Sequence, residues 1–163
     1  MATQQSFTSE EWTKILASPM LAGMAVSAAE PSGLWGALKE AIASGSALAA
    51  AKSEANSNEL IKAVITDFET SEGRSSIKDA LRKMFANAKP ADVVQGSIST
   101  LEEVSRLLDR KALKDAAPFK AWLRGISQDV AEASKEGGFF GFGGVQVSDA
   151  EKATLADINR ALA

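Results

Sequence analysis

The chain has 163 residues and a net charge of −3, from 18 Lys and Arg against 21 Asp and Glu. That length suits one domain able to bury roughly 70% of the surface its unfolded chain exposes, and 45% hydrophobic with 24% charged residues is a soluble globular composition. Histidine, cysteine and tyrosine are all absent, which excludes disulfides, thiolate or imidazole metal sites, the Ser-His-Asp triad and haem held by any of the three.

Alanine is frequent, β-branched residues are sparse and apolar positions recur every three or four residues, so the whole chain is predicted to be helical. Thr8 and Glu11 fit a capping box, in which each side chain satisfies a backbone N–H of the opening turn, and Trp12, Ile15 and Leu16 follow on one face. This helix is expected to end near Ser18. Ser18-Pro19 offers an N-cap followed by proline at the first helical position, and would open a second helix through Met20, Leu21, Met24 and Ala28. Glu30-Pro31-Ser32-Gly33 stops it, and a third helix runs from Leu34 towards Lys52, apolar at Leu34, Trp35, Leu38, Ile42 and Leu48.

Ser57 is the expected cap of a fourth helix carrying Leu60, Ile61, Val64, Ile65 and Phe68, with Gly73 as its breaker. A fifth presents Ile77, Leu81, Met84 and Phe85, and Pro90 opens a sixth with Val93, Val94, Ile98, Leu101, Val104, Leu107 and Leu108. After a turn near Asp115, a seventh aligns Phe119, Trp122, Leu123, Ile126 and Val130. The run Glu136 to Gly144 then holds five of the twelve glycines and three of the seven phenylalanines, too much glycine for a stable helix at about 1 kcal/mol each. A second capping box, Ser148 with Glu151, opens a last helix with Leu155, Ile158 and Leu162. The expected fold is a compact all-α single-domain bundle of about eight short helices over 1–163, with a Gly/Phe-rich loop at 136–147. The tryptophans Trp12, Trp35 and Trp122 and the methionines Met20, Met24 and Met84 fall at core spacing.

Three groups of residues compete for function. Phe139, Phe140 and Phe142 could insert into a protein partner's groove or a membrane surface, each ring burying on the order of 150–250 Å². The alternative has Gly137 as a helix C-cap and the rings folded over the end of the bundle. Without histidine, carboxylates are the remaining metal ligands, and Glu30, Glu136 and Glu151 near helix ends are candidates for calcium or magnesium, with Asp149 beside them. Against this stand a solvated surface and, for Glu151, its capping role. Lastly, Arg106, Arg110, Lys111, Lys114, Lys120 and Arg124 form a basic stretch that would attract phosphate or anionic lipid, or simply a solvated face in which Glu102 and Arg106 pair at i,i+4. The acidic balance and lack of interleaved aromatics mean no nucleic-acid partner is expected. Met1 to Phe7 has neither a basic region nor an apolar run, and no stretch approaches the roughly 18 apolar residues of a membrane span, so a cytoplasmic location is expected.

The segments Val130-Ala131-Glu132-Ala133-Ser134-Lys135-Glu136-Gly137-Gly138 and Val145-Gln146-Val147-Ser148-Asp149-Ala150-Glu151, followed by Leu155 and Ile158, resemble the repeated unit of the TerB-like tellurite-resistance family. That unit is a helix ending in Ala-x-Ala-Asp-Gly, a short turn and a Val-Ser-x-x-Glu cap. Val26-Ser27-Ala28-Ala29-Glu30-Pro31-Ser32-Gly33 echoes it in the first half. The resemblance spans about a third of the chain. It implies a pseudo-symmetric helical fold, a stress-related role and divalent-metal binding through the acids before the glycines and Glu151; the second unit departs by its Gly/Phe insertion. The expected function is a non-enzymatic helical module acting by protein-protein contact. The alternatives are a carboxylate metal protein of sensing or hydrolytic type and a peripheral membrane-associated protein.

Overall fold

The computed structural model describes residues 1–29, 58–136 and 147–163, and all regular structure among them is helical. A short 3-10 turn, Gln4–Ser6, precedes α1 (Ser9–Ala29), α2 (Glu59–Glu69), α3 (Ser71–Phe85), α4 (Pro90–Lys111), α5 (Leu113–Glu136) and α6 (Asp149–Ala161). These six helices among the described residues replace the expected eight. Two expected helices are one, and the expected helix from Leu34 towards Lys52, with Trp35, lies outside the described residues.

The merger is at Pro19. The Thr8–Glu11 capping box forms as expected, Thr8 N donating to Glu11 Oε2 at 2.8 Å and Glu11 N to Thr8 Oγ1 at 3.2 Å. The helix then passes through Ser18-Pro19 without stopping. Pro19 has no N–H for the carbonyl of Ile15 four residues back, but the Ser18 hydroxyl donates to that same oxygen at 2.7 Å. Packing supplies the rest: every residue from Ile15 to Ala28 is buried, and α1 touches each of the other five helices. A helix apolar around its whole circumference belongs inside a bundle, where tertiary contact outweighs a local stop signal. Ser18→Ala should leave the buried Ile15 carbonyl unpaired and cost about 1–2 kcal/mol in urea unfolding.

Ion pairs fix the helix directions. Glu11 Oε2 meets Lys111 Nζ at 2.6 Å and Lys14 Nζ meets Glu103 Oε2 at 3.0 Å, so α4 runs antiparallel to α1. Lys111, with the Thr8 N–H, holds the Glu11 carboxyl below its ordinary range. The contribution of this contact is therefore present at neutral pH and lost as the pH falls through the carboxylate range. Only Ala112 separates α4 from α5, and the chain reverses there. Ala2 N bonds Asp115 at the start of α5, and a Cβ on Gly23 would lie 3.4 Å from Val130 further along it, so α5 runs parallel to α1. Their last residues, Ala29 and Glu136, point to the same end of the bundle.

The corner between α2 and α3 differs from expectation. The α2 cap is Asn58, one residue beyond Ser57, its Oδ1 accepting from Ile61 N at 3.0 Å. The chain bends at Thr70, not at Gly73. Thr70 Oγ1 donates to Asp67 O at 2.6 Å and accepts from Gly73 N at 2.9 Å, which closes one helix and opens the next. In α3, Ile77 is buried and Leu81 and Phe85 pack on the core, but Met84 is 37% exposed, a correction to its expected core place. Asn87 takes the left-handed conformation (φ 60°) in the turn before Pro90, one that asparagine tolerates well. The remaining expected apolar faces of α2, α4, α5 and α6 all join one core, with Phe119 and Trp122 edge to face at 5.3 Å.

Candidate functional site

Of the expected site residues, Glu151 lies among the described residues with its side chain. It is only 2% exposed, in the first turn of α6. Its Oε2 accepts from Ser148 N at 2.9 Å, and Ser148 Oγ accepts from Glu151 N at 3.2 Å. The Val-Ser-x-x-Glu element is thus a closed capping box, and the negative charge lies where the helix dipole favours it. Phe139, Phe140, Phe142 and Glu30 lie outside the described residues, as does the side chain of Glu136, the last residue of α5. Among the described residues no group of three or more acidic side chains could hold a metal ion, and no helix is long and apolar enough to cross a membrane.

Four of the six residues of the basic stretch are engaged by carboxylates or carbonyls, while Arg110 and Lys114 are exposed. Arg106 pairs with Glu102 as the i,i+4 spacing implies, and Lys111 with Glu11. Lys120 is almost wholly buried, holding both carboxylate oxygens of Asp109 at 2.8 Å and Ala163 O at 3.0 Å. Arg124 donates to Leu162 O at 2.7 Å. Two cations of α5 therefore cap the terminal carbonyls after α6, groups that no helical N–H reaches.

A second polar centre lies in the first turn of α5. Asp115, 3% exposed, accepts from Ala2 N at 2.8 Å on Oδ2 and from Asn58 Nδ2 at 3.2 Å on Oδ1. Asn58 passes the link on by capping α2. One carboxylate thus ties together the N-terminal segment, α2 and α5, and both of its donors are neutral. Sequence reasoning placed only a turn here. The partners stand 113 and 57 residues away, so no local spacing announces them. A similar long-range bond joins Trp12 Nε1 to Asp67 Oδ2 at 2.7 Å, while Phe7 stacks on the Trp12 ring at 6.1 Å. Among the described residues, two buried polar atoms, Ser97 Oγ and Trp122 Nε1, have no hydrogen-bond partner.

The described ionisable groups that are buried are thus committed to holding helices together. No protein-family model, curated protein or solved structure matches the chain.

Proposed function

We propose that the chain is a non-enzymatic helical interaction module, in a stress-related role as the TerB-like resemblance implies, making its contact through Phe139, Phe140 and Phe142. One observation carries the reading. Asp115, Lys120 and Glu151, the buried ionisable side chains of the described residues, each hold a helix terminus or an N-terminal segment. A group in that service is a poor general acid or base, because moving its proton would loosen the scaffold it secures. Chemistry that leaves the scaffold intact then falls to apolar contact, and the sequence concentrates three phenylalanines between α5 and α6. Replacing Phe139, Phe140 and Phe142 together by serine is expected to leave far-UV circular dichroism and melting temperature unchanged while removing the proteins that co-purify with the wild type in quantitative proteomics. A large fall in melting temperature would mean that the rings belong to the core, and an unchanged set of co-purifying proteins would end the proposal.

A divalent-cation site on Glu30, Glu136 and Glu151 is the second reading. The parallel course of α1 and α5 favours it, since Ala29 and Glu136 end at the same side of the bundle. It requires heat on titration with calcium, magnesium or manganese and a raised melting temperature; a thermally silent titration with an unmoved melt excludes it.

A further inference from the structure

The two free cations of the basic stretch stand on either side of one leucine. Ala112 alone separates α4 from α5, and the two residues on each side of it, Arg110 and Lys111, then Leu113 and Lys114, are exposed. Lys111 is held by Glu11 at 2.6 Å, whereas among the described residues neither Arg110 nor Lys114 is engaged by a carboxylate or a carbonyl. Leu113 is 75% exposed, twice as much as Met84 at 37%. The backbone on both sides of it is fixed. Ala112 is buried, its N–H donating to Leu108 O at 2.8 Å and its carbonyl accepting from Asp115 N and Ala116 N at 2.8 and 2.9 Å. Asp115 is clamped in turn by Ala2 and Asn58. With Ala112 and Asp115 both held inward, the first two residues of α5 are held outward, at the apex where two antiparallel helices meet.

A single exposed leucine is ordinary on a protein surface. One held rigidly at an apex between two free cations is complementary to an apolar layer lying beneath a layer of phosphate. We propose that this corner docks on an anionic lipid surface, Leu113 entering the acyl boundary while Arg110 and Lys114 take the lipid phosphates. Convexity selects this occupant over an acidic protein segment: a rigid partner must offer a pocket matched to one leucine, whereas a bilayer closes around any apolar point that enters it. The two parts depend on each other. Shallow apolar insertion alone is weak and reversible, and a basic cluster adds the second attraction that holds a protein at an anionic surface. Of the acids beside the apex, Asp109 is held by Lys120, Glu11 by Lys111, and Asp115 is buried, so the free charge exposed there is positive. The corner opens α5, whereas Phe139, Phe140 and Phe142 follow its last residue, so the two contacts are tested separately.

The chain has no cysteine, so Leu113→Cys, carrying an environment-sensitive fluorophore on its thiol, reports on this position alone. Its emission is expected to shift to the blue on vesicles of equimolar phosphatidylglycerol and phosphatidylcholine, and to stay unmoved on phosphatidylcholine alone or when salt screens the charges. The same label on Ser75→Cys, exposed on α3, should not respond. In co-sedimentation of the unlabelled full chain with the anionic vesicles, Leu113→Ser should lower partitioning about tenfold, and Arg110→Gln with Lys114→Gln about twentyfold. All three side chains are exposed, so melting temperatures should not change. An unshifted label on anionic vesicles, or partitioning that survives either variant, overturns the proposal. So does a shift produced without vesicles by polyglutamate or by raised protein concentration, which would give the corner to an acidic segment or to a second copy of the chain.

Discussion

Asn58→Asp is expected to destabilise the fold by about 3 kcal/mol or more at pH 7, although the two residues are equally good helix N-caps. In isolation the exchange would be nearly silent, since either side chain accepts the Ile61 N–H. Here the other half of the amide decides. Asn58 Nδ2 donates to Asp115 Oδ1 at 3.2 Å inside the protein, and a carboxylate in its place sets two negative oxygens against each other out of water. Protonating the introduced carboxyl restores a donor. The deficit should therefore be widest at neutral pH and narrow as the pH falls towards about 4, where the carboxyl of the unfolded chain also takes up its proton. Urea unfolding of wild type and variant at pH 7 and pH 4 checks both the size and the direction. Equal midpoints at pH 7 would show that Asp115 and Asn58 do not form the clamp described.

Gly73→Ala gives the second large effect, and its sign runs against helix propensity. Exchanging glycine for alanine within a helix ordinarily gains about 1 kcal/mol. At this corner a Cβ would lie 2.1 Å from Asp67 O, 2.8 Å from Asp67 C and 3.1 Å from Thr70 Oγ1. Two of these are backbone atoms that close α2, and the third is the cap that opens α3. The substitution must open the corner, for a net loss of about 1–3 kcal/mol, or several degrees in a thermal melt. Gly96 provides the contrast. A Cβ there would meet Phe85 Cε1 at 2.8 Å, but the neighbour is the edge of a half-buried ring that can turn aside. Gly96→Ala should accordingly cost much less, and equal losses at the two positions would count against the corner argument.

These two positions also mark where the sequence was legible. Apolar spacing revealed the buried faces of α2, α4, α5 and α6, because a 3.6-residue period is a local property. Both capping boxes could be read for the same reason, since Thr8 with Glu11 and Ser148 with Glu151 are each three residues apart. Punctuation was read less well. Pro19 and Gly73 are strong stop signals in isolation, and each was overruled by something nearby in space: the Ser18 hydroxyl with the surrounding helices in one case, the Thr70 hydroxyl and the Asp67 carbonyl in the other. For the candidate site the division is similar. The capping role of Glu151 was visible in its spacing, but the joining of Ala2, Asn58 and Asp115 depends on how three distant segments meet, which periodicity does not encode.

The burial of α1 on every side has a consequence for how the protein is made. A ribosome adding about 5–20 residues per second takes about 5–20 s to pass from Ala29 to Glu136, the end of the helix parallel to α1. The largely apolar stretch Ile15–Ala28, interrupted by Ser18 and Ser27, emerges before any of the five helices that cover it. The helix that the other five enclose thus precedes all of them in the chain, and its cover is complete only when α5 and α6 have followed.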